Sequence, residues 1–279
     1  MIKRVLVTVL TYPTPSNKYI ETVCTAGITE DFQWIRIYPL KLRLIKGGKI
    51  HKFNWYDFDV EKRESSKDPR KESYHLNKDP DCISKGSIDT KPKDGWAKRM
   101  DICVDKVGCY TNYGKLLADS NTHKDGFISL ATFKPTKILS FICEKKDIEE
   151  LDKKKEDILR RSKEQMSLFS EEELPEYWEM AKSIPYKFKY EFEDDEGIKA
   201  KLSIEDWEVS MLYLNCIKNG KSESEALELV KQKYFIEFSK KDIYFFMGTR
   251  NKEHLKNYPH PYSIIGVFYP PKGQQPELF

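Results

Sequence analysis

The segment Asp68-Pro-Arg-Lys-Glu-Ser-Tyr74 sets a carboxylate, a guanidinium, a second carboxylate and a hydroxyl close together. Mixtures of this kind suit work on phosphate esters, because an arginine can hold a phosphate while a carboxylate binds a metal or moves a proton. Asp68, Arg70 and Glu72 are the candidate catalytic residues on this ground. Two plainer readings stand beside it: a solvated charged loop, or a loop whose Arg70 and Lys71 track a phosphate backbone. Elsewhere the chemistry is thinner. Asp206 and Glu208 resemble paired carboxylates, but residues two apart on a helix do not share a face, and Asp206 reads better as part of a cap. Gly248-Thr-Arg-Asn-Lys-Glu-His254 follows an apolar run and could hold an anion through backbone amides and Arg250, yet it lacks the P-loop pattern. His254 and His260 read as surface histidines. No G-x-S-x-G, H-E-x-x-H, C-x-x-C or zinc-deaminase signature is present, so no metal ligands are assigned and the cofactor is unknown.

A second constellation runs from Phe32 to Lys52. Side chains alternate along a strand, so Ile35 and Ile37 face one way while Phe32, Trp34, Arg36 and Tyr38 face the other. Flat aromatic surfaces beside a guanidinium suit stacked bases and a nearby phosphate. No acidic residue occurs between Asp31 and Asp57, a window that holds Arg36, Lys41, Arg43, Lys46, Lys49, Lys52 and His51. Trp34, Arg36, Tyr38, Lys41, Arg43, Lys49 and Lys52, with Arg70, are therefore the candidate nucleic-acid-binding residues, single-stranded DNA or RNA being favoured. The same pattern fits a strand buried on both faces, with Arg36 paired to Asp57 or Asp59.

These residues need a scaffold. The chain has 279 residues, 39% hydrophobic and 33% charged, which suits one large domain or two small ones with a real core. A net charge of +3 excludes a molecule that attracts nucleic acid over its whole surface, so any basic site is local. The apolar run at Val5–Leu10 is too short for a signal peptide and no segment is long enough to span a bilayer, so a cytoplasmic protein with no membrane partner is expected. Six scattered cysteines read as core thiols.

Residues 1–145 read as β-rich, with strands at 5–10, 19–28, 32–38, 53–60 and 136–143 and a long polar loop over 64–95. Residues 146–182 read as a charged, exposed or bridging helix and a linker, broken at 167–175. Residues 183–279 read as a smaller α+β part. Tyr186, Phe188, Tyr190 and Phe192 give a strand with one aromatic face. Ser203-Ile-Glu-Asp opens a helix whose apolar face is Ile204, Trp207, Met211 and Leu214, Asn219-Gly220 ends it, and Ser222 caps the next. Strands at 243–247 and 263–269 close the chain. The class is α+β.

Cys24-Thr-Ala-Gly-Ile followed closely by Trp34-Ile-Arg resembles the opening of dual OB-fold domain proteins of bacterial conflict and defence systems, departing from them at Ile37-Tyr38-Pro39. The resemblance covers about the first fifth of the chain and implies an OB-like barrel that handles nucleic acid or a nucleotide. Gln165-Met-Ser-Leu-Phe169 and Gln275-Pro-Glu-Leu-Phe279 both fit Q-x-x-L-F, which resembles the pentapeptide by which bacterial polymerases and repair proteins bind the replication sliding clamp. There the Leu-Phe pair fills an apolar pocket and the Gln amide bonds at its rim, so Gln165, Leu168, Phe169, Gln275, Leu278 and Phe279 are candidate docking residues. Packing of both segments onto the core is the alternative. The expected function is nucleic-acid binding in bacterial DNA metabolism, repair or phage defence, with possible clamp recruitment. The alternatives are an enzyme on nucleic acid or nucleotide (a nuclease or base-modifying activity) using the Asp68–Tyr74 loop, and an adaptor without nucleic-acid contact.

Overall fold

The computed structural model describes residues 1–17, 20–64, 68–91, 94–122, 128–166, 180–249 and 261–273. The N-terminal apolar runs form β1 (Ile2–Leu10), β2 (Thr14–Ser16), β3 (Ile20–Thr29), β4 (Trp34–Lys41), β5 (Trp55–Lys62) and β6 (Ser73–Leu76). β1 pairs with both β3 and β5, β6 joins β5 to β4, and β4 returns to β3. Five strands thus close a barrel in the order β1-β3-β4-β6-β5, with β4 and β6 its one parallel pair. One turn of helix, α1 (Arg43–Lys46), separates the third and fourth barrel strands. This is the strand order of an OB-like Greek-key barrel. Val5, Val7, Val23, Ile35, Ile37, Tyr56 and Phe58 fill its interior.

Gly27 of the Cys24-Thr-Ala-Gly motif has a packing reason. A Cβ there would collide with the Leu6 carbonyl oxygen and the Val5 side chain, so only glycine lets β3 lie on β1 where the barrel closes.

The rest of the chain is mixed α and β. α2 (Gly95–Met100) runs on as a π-helical stretch, Asp101–Lys106. It is followed by β7 (Cys109–Tyr110), α3 (Tyr113–Thr122), β8 (Leu130–Phe133), β9 (Lys137–Lys145) and α4 (Glu149–Met166). Then come β10 (Tyr186–Glu193), β11 (Lys199–Ser203), α5 (Trp207–Lys218), α6 (Glu223–Lys231), β12 (Tyr244–Thr249) and β13 (Tyr262–Phe268). They make a three-stranded sheet, β11-β10-β9, and a four-stranded sheet, β13-β12-β8-β7. Phe188, Tyr190 and Phe192, the aromatic face read from the alternation, lie in the core between these sheets with Phe133, Phe245 and Ile264. The α+β, β-rich class with an OB-like N-terminal barrel holds.

Several local expectations shift. β8 and β9, grouped by sequence with the first 145 residues, pair with β12 and β10. Ser203 ends β11, and Asp206 is the N-cap of α5, its carboxylate accepting from the Glu208 amide at 3.1 Å. With the start moved, the fully buried residues of α5 are Val209, Ser210 and Tyr213; Trp207 and Leu214 are half-buried against the two cores, and Ile204 is buried ahead of the helix. Asn219 does end that helix, and Ser222 with Glu225 forms a reciprocal capping box on α6. α4 is the bridging kind of charged helix: Ile158 is buried, and Lys155 donates to the Ala181 carbonyl and pairs with Glu21 of β3 at 3.7 Å. The expected break at 167–175 lies outside the described residues. All six cysteines are unpaired, and no helix among the described residues is long and apolar enough to cross a membrane.

Candidate nucleic-acid interface

An OB-like barrel takes oligonucleotides on the face of its second and third strands and with the loops after its first and fourth. Here the face is β3 and β4, and the C-terminal part covers it. Trp34 packs edge-on against Phe246 of β12, ring centroids 5.4 Å apart. Ala26 and Ile28 lie in one cluster with Phe246, Ile265 and Phe268. Arg36 is 3% exposed; its guanidinium donates to the Ser129 carbonyl at 3.1 Å, to Ser129 Oγ at 3.3 Å and to Cys24 Sγ at 3.2 Å. β4 is therefore buried on both faces, and Trp34 and Arg36 do not form a solvent-facing platform. Arg36 also leaves Asp57 and Asp59 to Arg4 and to Asn77 with the N-terminal amine. Phe32 sits in the turn before β4 with φ 57°.

The Asp68–Tyr74 loop meets the same covered face. Arg70 forms a two-pronged pair with Asp68, both bonds 2.7 Å, and its third donor reaches the Thr249 carbonyl at the end of β12. Burial pushes the Asp68 carboxyl up, but the bonds from Arg70 outweigh it and hold the group below the ordinary carboxylate range. Glu72, also buried, accepts from the Ser129 amide at 3.0 Å and from its hydroxyl at 2.9 Å. Asp68, Arg70, Glu72 and Arg36 thus do come together, as a buried lattice that ties barrel to C-terminal part. Arg36 Nε and the hydroxyl of Thr249 have no hydrogen-bond partner there among the described residues. Its carboxylates are engaged by protein donors, which is the pattern of a structural network.

What remains open is the end of the barrel where its first and fourth loops lie. β3 and β4 slip register at Cys24, which faces both Tyr38 and Pro39, a two-against-one bulge. β4 and β6 pair only at Arg36–Ser73 and Ile37–Tyr74 and then diverge. Pro39 has no amide proton, so the splayed backbone strands no donor. The gap is a groove of about 900 Å³ lined by Ser16 of the first loop, Tyr38 and Lys41 of β4, Lys62 to Glu64 at the end of β5, and His75 to Asp79.

Arg63 lies over the Tyr38 ring at 5.3 Å and donates to the Tyr38 carbonyl at 3.0 Å, which fixes both side chains at the groove wall. Lys62 and Lys78 make no hydrogen bond or ion pair among the described residues. Lys41, at 2.8 Å, and Arg43 both bind Asp79. Burial raises the Asp79 carboxyl, and these two bonds bring it below its usual range. His75 faces Glu61 at 3.5 Å. The groove therefore has four cationic side chains against three carboxylates, two of the cations without an ion pair among the described residues.

Of the eight residues named for nucleic acid, Tyr38 and Lys41 line this groove, and Arg43 joins them through Asp79. Lys49 is exposed in the turn after α1. Lys52 instead makes an interior pair with Asp206, at 2.8 and 3.0 Å. Lys62, Arg63, His75 and Lys78 were missed, although a basic pair at a strand end is a readable sign.

The docking residues Leu168, Phe169, Gln275, Leu278 and Phe279, and Arg250, His254 and His260, lie outside the described residues; Gln165 is in α4 with its side chain outside them. Among the described residues, no group of three or more His, Cys, Asp or Glu is placed to hold a metal ion.

Residues 1–105 match a domain of unknown function (DUF8758), and residues 112–279 match a second (DUF8757). The barrel with α2 falls in the first, and the three-stranded sheet and all of the four-stranded sheet but β7 fall in the second. No curated protein matches the chain.

Proposed function

For a chain that belongs to the DUF8757 family, we propose nucleic-acid binding in bacterial DNA metabolism, repair or phage defence, with single strands held in the groove between β4 and β6. One observation carries the reading: the loop end of an OB-like barrel is open, walled by a fixed Tyr38–Arg63 pair and flanked by two lysines without an ion pair among the described residues. A base stacks on Tyr38, and Lys62, Arg63 and Lys78 meet the phosphates. The covered β3–β4 face takes no part.

Three phosphate contacts on a single strand give a log–log salt slope of about −2, so affinity falls roughly 20-fold between about 50 and 200 mM salt. Anisotropy of short labelled DNA and RNA strands measures this. Lys62→Ala with Lys78→Ala reduces the slope to about −0.7. Tyr38→Ala leaves the slope and weakens binding by about 5- to 100-fold. Absence of binding to single-stranded and duplex DNA and RNA, or binding unmoved by the lysine pair, rules the groove out.

In the same reading the Q-x-x-L-F segments recruit the protein to a replication sliding clamp in the cytoplasm. Removing Gln275–Phe279 abolishes or weakens at least tenfold the clamp binding seen by calorimetry, as loss of a Leu-Phe anchor requires. Unchanged affinity after removal of both segments ends that part of the reading.

A further inference from the structure

A second cavity lies between the barrel and the C-terminal part. It holds about 300 Å³, the small end of the range for ligand sites and the scale of one nucleotide. Thr8, Phe53, Trp96 and Arg99 reach it from the first matched segment, and Glu208 and Phe268 from the second. Neither segment makes the site alone.

Its walls are aromatic. Trp96 and Phe268 have centroids 5.9 Å apart at 41°, and Phe53 lies 5.9 Å from Phe268. Arg99 is stacked on Phe53 with its guanidinium carbon 3.7 Å from the ring centroid, and it lies 5.6 Å from Trp96. Its Nε donates to the Ile88 carbonyl at 2.7 Å, which fixes the plane. Its two terminal amino groups have no hydrogen bond or ion pair among the described residues. Burial lowers its proton affinity and outweighs the more distant charges of Asp89 and Glu208, which act to raise it. Thr8, 1% exposed, lines the same cavity with a hydroxyl that has no hydrogen-bond partner among the described residues. Buried donors and acceptors left unmade are costly, so this pair asks for a ligand. Glu208, at the start of α5, is half exposed, and its carboxylate is 3.5 Å from Lys52.

We propose that this cavity binds a single nucleotide, its base among Trp96, Phe53 and Phe268, its phosphate on the free face of Arg99, and a ring or sugar donor on Glu208. A planar ring suits the aromatic walls, a fixed guanidinium suits a phosphate, and Thr8 serves a polar ring edge. The ligand is a free mononucleotide or one base of a bound strand. The site is separate from the groove, and its test separates the two.

Calorimetry and thermal unfolding with the four 5′-monophosphates and their parent nucleosides read the site on the full chain. At least one monophosphate raises the melting midpoint with its concentration. Its nucleoside binds at least tenfold more weakly, as loss of a charge-assisted contact requires. Trp96→Ala weakens binding by about 5- to 100-fold. Glu208→Gln, half exposed and kind to folding, changes the ranking of the four bases. Lys62→Ala with Lys78→Ala leaves all of this unchanged, and Trp96→Ala leaves the salt slope of strand binding unchanged. If monophosphates give no signal but short strands do, and Trp96→Ala removes a salt-independent part of that affinity, the ligand is a base in a strand. The proposal fails if neither source responds, or if nucleosides bind as well as their monophosphates.

Discussion

Lys52→Met will lower stability by about 3–5 kcal/mol, read as a fall in the urea midpoint at unchanged m-value. Asp206 is 0% exposed. It takes two bonds from the Lys52 ammonium, one from the Glu208 amide and one from the Val267 amide. It thus caps α5, holds β13 and anchors the barrel at one point. Burial pulls the Lys52 ammonium down, but Asp206 and Glu208 outweigh it and raise its proton affinity; burial also pushes the Asp206 carboxyl up, and the two bonds from Lys52 oppose that push and favour the ionic pair. Methionine keeps the stem and deletes the charge, leaving an uncompensated interior carboxylate. In the variant that carboxylate binds its proton more tightly folded than unfolded. Its folded pKa is therefore raised, and stability relative to wild type is greatest below the ordinary carboxylate range and is lost as pH rises through the raised value. The deficit is largest at neutral pH and shrinks on acidification, and Lys52→Met with Asp206→Asn restores part of it. A deficit below about 1 kcal/mol, or one independent of pH, would sink the ionic account.

Lys52 also shows where sequence reading runs out. The window from Arg36 to Lys52 displays charges without their partners, because those partners come from distant segments: Asp79 for Lys41 and Arg43, Asp206 for Lys52, Ser129 for Arg36. Periodicity does better. The alternation in Tyr186–Phe192 gives the strand and its buried face, and the run before Leu10 gives β1. In β4 the same alternation separates two faces but says nothing of which meets water, since the cover is built from Ser129, Phe246 and Ile265. Element types follow from local chemistry, and exposure follows from closure of chain segments about a hundred residues or more apart. The groove was half legible for this reason. Tyr38 and Lys41 stand in a visible basic strand, while His75 and Lys78 reach them only through the parallel pairing of β6.

Glu72→Ala and Arg36→Met will each lower stability by about 3–5 kcal/mol, and the double variant will lose less than the sum. Both side chains are buried and both bind Ser129, Glu72 at its amide and hydroxyl, Arg36 at its carbonyl and hydroxyl. Removing either charge leaves the other in the interior beside donors or acceptors without mates. Arg36→Lys does not rescue, because one ammonium cannot span Ser129 and Cys24 as the guanidinium does. The variants also decide between uses of the Asp68–Tyr74 loop. A catalytic carboxylate can be removed with the fold intact, whereas this one holds β8 to the barrel by way of Ser129, so folding and every binding activity fall together. Salt gives an independent check. Strand binding in the groove weakens steeply with ionic strength, while the cost of breaking a buried pair is screened little. A Glu72→Ala protein of wild-type stability would remove the lattice reading and return that carboxylate to the candidates for chemistry.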